Sequence, residues 1–277
     1  MLSDHCMASK PALALLGVLA AAQAAQADGD YFSPTDEHVR ISLGVMHVSS
    51  NTTLRADSTA GATGTLISGE STFGLDRSDF EPKFEVKVRA ATRQRLTFDY
   101  FTLDRTGSTT LTGGDVAFKD VTFLPGDPLQ TKLSLRTFGI TYEYSFWHAD
   151  TLEIAGTVGV HATDISAVAK VQTPTRHIFQ ETDQAGPVPT LGIDATWVVS
   201  RRFYLDGRAQ YLQVNTGSLG GSLGIYDFDV LYRYRPNVSF ALGYTDIRAT
   251  ILSNKSQQAE SFVLNTKGPE AFFRIAF

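Results

Sequence analysis

The 277-residue chain has one cysteine, no run of Lys or Arg, and a formal net charge of -5. Without a basic surplus there is nothing to hold a phosphate backbone, so nucleic acid is excluded as a partner. The lone Cys6 lies upstream of the apolar N-terminal stretch, where a lipoprotein cysteine cannot be. The mature chain is therefore expected to need no disulfide or thiol chemistry, in keeping with an oxidising compartment reached by secretion. After residue 27 no apolar stretch approaches the roughly 20 residues of a membrane helix. Gly-rich phosphate motifs are missing, and Gly220-Gly221 reads as a turn. No cluster offers three metal ligands at useful spacing, since His148 and Asp150 sit on a predicted turn, so neither metal nor cofactor is expected.

What is present begins with a targeting segment. Lys10 precedes an apolar run from Pro11 to Ala22, too short to span a bilayer, and Ala25-Gln26-Ala27 gives an Ala-x-Ala cleavage site before Asp28. Cleavage after Ala24 is the alternative, and Met7 is an alternative start because Asp4 and His5 do not suit a positive n-region. The organisation is then a signal peptide over 1–27 and a single domain over 28–277.

In that domain hydrophobicity comes as short runs of period two, repeated over roughly ten residues, as a transmembrane barrel requires. In lipid every backbone polar group must be paired, so strands enter only as a closed sheet. Alternation and turn signals predict ten strands, at 38–55, 80–91, 93–106, 132–147, 151–168, 188–200, 202–215, 223–236, 237–252 and 260–277. Short turns at Ala91-Thr92-Arg93, His148-Ala149-Asp150, Ser200-Arg201 and Pro236-Asn237 alternate with longer connections at 56–79, 107–131, 169–187, 216–222 and 253–259. Short periplasmic turns and long external loops, with an even strand number, describe an all-β, antiparallel, up-and-down membrane barrel. Within 113–131, Val116-Ala117-Phe118 and Val121-Thr122-Phe123 read as an extra loop hairpin; eight or twelve membrane strands are the alternatives.

The faces are legible. Phe138, Ile140, Tyr142, Tyr144 and Phe146 alternate with Thr137, Gly139, Thr141, Glu143 and Ser145; Phe80, Pro82, Phe84, Val86 and Val88 alternate with Glu81, Lys83, Glu85, Lys87 and Arg89. A soluble secreted β-sandwich would show the same alternation with the faces reversed. Aromatics clustered toward strand ends and long, closely spaced strands favour the membrane arrangement.

The chain ends Ala271-Phe272-Phe273-Arg274-Ile275-Ala276-Phe277, with apolar residues at every second position and a terminal aromatic. This resembles the C-terminal signature of Gram-negative outer-membrane β-barrel proteins. The resemblance implies that Phe273, Ile275 and Phe277 form the signal read by the barrel-assembly machinery. It also implies an outer-membrane location among lipids and lipopolysaccharide.

With the apolar face assigned to lipid, the inward charges are Arg40, Lys83, Lys87, Arg89, Arg95, Arg105, Arg208, Arg233, Arg235 and Arg274 against Glu81, Glu85, Asp99, Glu143, Glu153, Asp194, Asp206, Asp227, Asp229 and Glu270. An interior of eight to ten strands is just wide enough for side chains to meet. Balanced charges there should pair and fill it, whereas a selective pore favours a ring of one sign.

Few residues look catalytic. His161 projects inward with Thr157, Thr163 and Glu153. His47-Val48-Ser49 places a His and a Ser on the outward side and resembles the His-x-Ser of lipid A deacylases. It stands on the first strand rather than near the chain's end, and no acidic third member can be assigned. Asp76, Asp79, Asp246 and His177 are of the residue types used by the ten-stranded omptin proteases, but no spacing ties them together. The expectation is therefore a non-enzymatic outer-membrane barrel with a charge-balanced, narrow or plugged lumen, in a structural, small-solute or surface-interaction role. An outer-membrane hydrolase acting on lipid A or peptide is the alternative.

Overall fold

A computed structural model describes residues 33–174, 177–216, 219–255 and 258–277. The expected signal peptide over 1–27 and the expected cleavage site lie outside the described residues. The strands are β1 (Val39–Ala56), β2 (Ile67–Ser68), β3 (Ser78–Ala91), β4 (Gln94–Thr110), β5 (Val116–Phe118), β6 (Val121–Phe123), β7 (Pro128–Ala149), β8 (Leu152–Gln172), β9 (His177–Val198), β10 (Phe203–Thr216), β11 (Leu219–Arg235), β12 (Val238–Lys255) and β13 (Gln258–Ala276).

Ten of these form an antiparallel ring in the order β1-β3-β4-β7-β8-β9-β10-β11-β12-β13, closed by β13 on β1. The closing register sets Leu43 against Phe273 and Ile41 against Ile275. The chain ends in this seam: the Phe277 carbonyl accepts from the His38 and Val39 amides, and the Phe277 amide donates to Val39. The short turns fall where alternation puts them, and the loop hairpin forms over the expected residues as β5 and β6.

The other long connections do not. Those expected at 169–187, 216–222 and 253–259 shrink to 173–176, 217–218 and 256–257, because β8, β9, β11, β12 and β13 continue as paired strands far beyond the lipid band. At ~3.3 Å per residue the 22 residues of β7 run to about 70 Å, while a crossing takes about 9–11 residues.

Proline explains why β9 read as starting at 188. A ring strand bonded on both sides rarely tolerates Pro187 and Pro189. β9 pairs with β10 only from Leu191 to Val198, so above that point it is an edge, where a missing N–H breaks no ladder. On the opposite side β3 stops at Ser78 and leaves a notch between β1 and β4. Segment 57–77 fills it: β2 pairs with β1, the Ser50 amide donates to Arg77, and Leu75 bridges to Gly107. At the start of this segment the Arg55 guanidinium grips Asp57 (2.9 and 3.1 Å), which holds that carboxyl below its ordinary value.

The two faces exchange character at one height. On β7, Phe138 to Phe146 point outward with 40–56 % exposure, while Thr137, Gly139, Thr141, Glu143 and Ser145 point inward. Nine residues of outward apolar surface match one crossing. Above Phe138 the pattern inverts: Arg136, Ser134, Lys132 and Gln130 face out, and Leu135, Leu133 and Leu129 are buried inside. β1 inverts above Val45, β8 above Ala162 and β12 above Tyr244. The protein is a membrane barrel below that line and a water-facing, apolar-cored barrel above it.

Candidate functional site

The lumen is the one place where all ten ring strands converge chemically, and it falls into three layers. The lowest is ionic. Arg95, 1 % exposed, reaches Glu143, Glu153 and Asp194, each at 2.9 Å. Lys87 shares Glu143 (3.2 Å) and Asp194 (3.0 Å), Arg89 holds Glu153 (2.8 Å), and Arg208 reaches Glu85 (2.7 Å) and Asp194 (3.5 Å). Lys83 sits between Asp227 (2.7 Å) and Glu270 (3.0 Å), with the Thr245 hydroxyl from β12 accepting from it. Arg274 pairs with Asp206. Asp229 lines the same space, a cavity of about 40 Å³ with room for about two or three waters. Removing one partner from such a web strands charges in a low-dielectric interior, which is why the set behaves as a unit.

The ionic layer is stoppered at the short-turn end by residues 33–37, which alternation did not reveal. Ser33, Thr35 and Glu37 are buried. Glu37 bridges Arg40 (2.8 Å) and Arg233 (3.0 Å), Ser33 donates to the Asp150 carbonyl (2.6 Å), and the Thr35 and Pro34 carbonyls accept from Arg89 and Arg40. A segment of mixed polar residues without period two carries no strand signal. Its role depends on guanidinium groups of which only Arg40 is near in sequence, Arg89 and Arg233 coming from far along the chain.

A seam follows at mid-height. His161 is fully buried, with Nε2 3.7 Å from Asp99 and Nδ1 3.5 Å from Thr190. Gly139 lies between Asp99 and His161 in the register, and a Cβ there would strike both. Thr157 binds Gln210 instead of the histidine, and Glu153 is committed to Arg89 and Arg95, so the hydroxyl and acid set next to His161 by sequence do not assemble.

The top layer is apolar. Met46, Val48, Leu103, Leu133, Leu135, Ile165 and Leu264 turn inward and pack with Phe73 and Leu75 of the notch segment. The β5–β6 hairpin lies in the mouth, with Val116, Phe118 and Phe123 buried and the rings of Phe118 and Phe123 edge-on to Phe73 at 6.2 and 5.8 Å. Lys119, with φ +52°, donates from its amide to Ala56 on β1 and from its ammonium to the Glu181 carbonyl on β9. The hairpin is thus tied to both sides of the opening.

Several assigned positions move. Arg105 leaves the ionic layer for Glu70 (2.8 Å) and Thr52 (2.8 Å), clamping the notch segment, and Glu81 accepts from the Asp104 amide (2.9 Å). Arg235 is exposed, its guanidinium 5.7 Å over Tyr234, because a register shift between Arg233 and Arg235 reverses the alternation. Of the terminal signature, Phe273 and Phe277 are exposed, whereas Ile275 is shielded between Ile41 and Val238.

On the outer wall His47 bonds Ser78 (2.7 Å) across to β3, not Ser49, and leans on Phe80. Asp76 and Asp79 lie together at the start of β3, His177 opens β9 and Asp246 on β12 is tied to Arg248 (2.7 Å), so the four are spread over three places on the ring. Among the described residues no group of three His, Cys, Asp or Glu can hold a metal.

No protein-family model and no curated protein matches this sequence. Among solved structures, the outer membrane protease OmpT from Escherichia coli superposes with a TM-score of 0.57 at 9 % identity, covering 91 % of this chain and 99 % of OmpT. The toluene transporter TbuX of Ralstonia pickettii gives 0.38 at 11 % identity (87 % and 90 % covered), and Neisserial surface protein A gives 0.31 at 14 % (86 % and 97 %). The chain is similar to OmpT, an outer-membrane β-barrel, in fold.

Proposed function

We propose that this protein is a non-conducting barrel of a Gram-negative outer membrane, which anchors a walled extension above the lipid and works through that external surface. It is delivered by a cleaved signal peptide and inserted by the barrel-assembly machinery acting on the strand that ends in Phe277. Double closure supports the reading: the 33–37 stopper and the ionic web below, the apolar core and hairpin above. An aqueous path would have to break both, and the two are held by unrelated forces.

The test is electrical. Refolded protein in planar bilayers is expected to show no unitary conductance, and deletion of residues 112–126 alone is expected to leave it silent, since the ionic layer still fills the lumen. Discrete channel openings by the intact protein would overturn the proposal.

The hydrolase alternative has its own check. His47→Ala and His161→Ala are each expected to leave the lipid A mass spectrum of cells carrying the protein unchanged. A mass shift that depends on either histidine would restore an enzymatic role.

A further inference from the structure

We infer that the outer wall of the extension carries a binding groove for an acidic polysaccharide. The inference rests on the external placement proposed above. The groove crosses β4, β7, β8 and β9 as two rows of outward residues. Register puts Thr106, Lys132, Val168 and Glu181 in one row and Ser108, Gln130, Lys170 and Phe179 in the next. Residues 74–76 of the notch segment form a rim along β4, with the Asp76 amide bonded to the Thr106 carbonyl. The cleft is open to solvent and offers about 720 Å³, within the range of ligand sites.

Its chemistry selects the occupant. Lys132 and Lys170 are diagonal neighbours on adjacent strands, and neither has an ion pair with a described residue. Like charges side by side repel, so an anion seated between them is stabilised twice. Lys170 is held with its ammonium 5.2 Å over the Phe179 ring, which keeps the charge in the cleft, and the ring is itself 57 % exposed. Asp76 and Glu181 stand at opposite ends, and hydroxyl and amide groups lie between. A ligand with hydroxyls for the end carboxylates, an anionic group for the lysines and a C–H face for the ring is a glycan bearing acid groups.

Other occupants fit poorly. A peptide added as a strand needs a free edge; β7 and β8 are paired on both sides, the edge of β4 beyond Phe101 is covered by residues 75–76, and the free edge of β9 carries Pro187 and Pro189. Lipid needs apolar surface, and only Val168 and Phe179 supply it. Height separates a polysaccharide from a lipid headgroup. The lipid-facing row of β7 ends at Phe138, and Lys132 is about 20 Å further along the strand, or ~15 Å higher at a ~40° tilt. Phosphates at the hydrocarbon edge do not reach it.

The full-length protein in detergent would be titrated calorimetrically at low salt with hexagalacturonate, maltohexaose and a diphosphorylated glucosamine disaccharide. Hexagalacturonate is expected to bind with Kd on the order of 0.1–1 mM and to weaken as salt rises, with maltohexaose at least about tenfold weaker. Lys132→Gln, Lys170→Gln and Phe179→Ala should each weaken it about fivefold, while Arg248→Gln on another part of the wall should not. Retained heat-shifted gel mobility would show that the variants are folded. The inference fails if hexagalacturonate does not bind, if the neutral hexasaccharide binds equally, if the phosphorylated disaccharide binds more tightly, or if the lysine variants keep full affinity. Each of these outcomes is readable whether or not the barrel conducts, so failure here is distinct from failure of the closed-lumen proposal.

Discussion

Replacing Arg95 with Met is expected to lower the unfolding free energy by about 3–5 kcal/mol, the loss that follows when a buried ionic cluster is deprived of one partner. Arg95 is the only described cation that contacts Glu143, Glu153 and Asp194 together, all through 2.9 Å contacts, and its side chain is almost wholly shielded. Removing it leaves Lys87 alone with Glu143, and Arg89 alone, apart from His148, with Glu153. Arg95→Lys should recover only part of the loss, because one ammonium cannot present three diverging donors. Arg235→Met, at the exposed end of β11, should change stability by less than about 0.5 kcal/mol. The measurement is urea unfolding in lipid vesicles, followed through the outward-facing Trp147 and Trp197. If Arg95→Met costs no more than Arg235→Met, the carboxylates are hydrated by a continuous water column and the lumen is open.

How much of this was legible in the sequence depends on what alternation can encode. Period two fixed the ten strands, the short turns and the lipid face of residues 138–146, because one crossing is long enough to give a run of five outward residues. It also placed most of the ionic web, since Glu81-to-Arg89 carries charge at every second position. Carried past the crossing, the same parity turns Met46, Val48, Leu133, Leu135 and Ile165 to the lumen, but it could not show that the lumen becomes apolar there. Above the lipid the solvent outside becomes water, the apolar side must turn inward, and the strand keeps its period while exchanging its faces. A rule that gives every apolar residue to lipid assigns them outward, against the unbroken parity of their own strands. The partners of the web were hidden for a different reason: Lys83 meets Glu270 and Arg233 meets Glu37 across 187 and 196 residues, and nothing local records such pairings. For the same reason the 33–37 stopper had no signal, and Ser78 was not seen as the partner of His47.

The exchange of faces makes Phe123 the residue on which the external closure turns. Phe123→Asp is expected to expel the β5–β6 hairpin from the mouth without unfolding the ring. Losing a fully buried aromatic costs about 3–5 kcal/mol, and an unpaired carboxylate in that apolar cluster adds several more. Against this stand a handful of bonds, among them the Lys119 amide to Ala56, the Lys119 ammonium to Glu181, the Thr65–Ala117 pair and Asp120 to Thr59, each about 3 Å and worth about 1 kcal/mol. The carboxylate therefore reaches water by releasing the hairpin. The ring is closed by long ladders that do not involve these residues. Limited proteolysis should then cut between residues 112 and 126 while heat-shifted gel mobility is retained. Asn265→Asp, equally polar but outward on the external part of β13, should leave the hairpin protected. Protection that persists in Phe123→Asp would mean that the mouth is closed by something other than apolar packing. The upper barrel would then not be the water-soluble inverse of the membrane barrel below it.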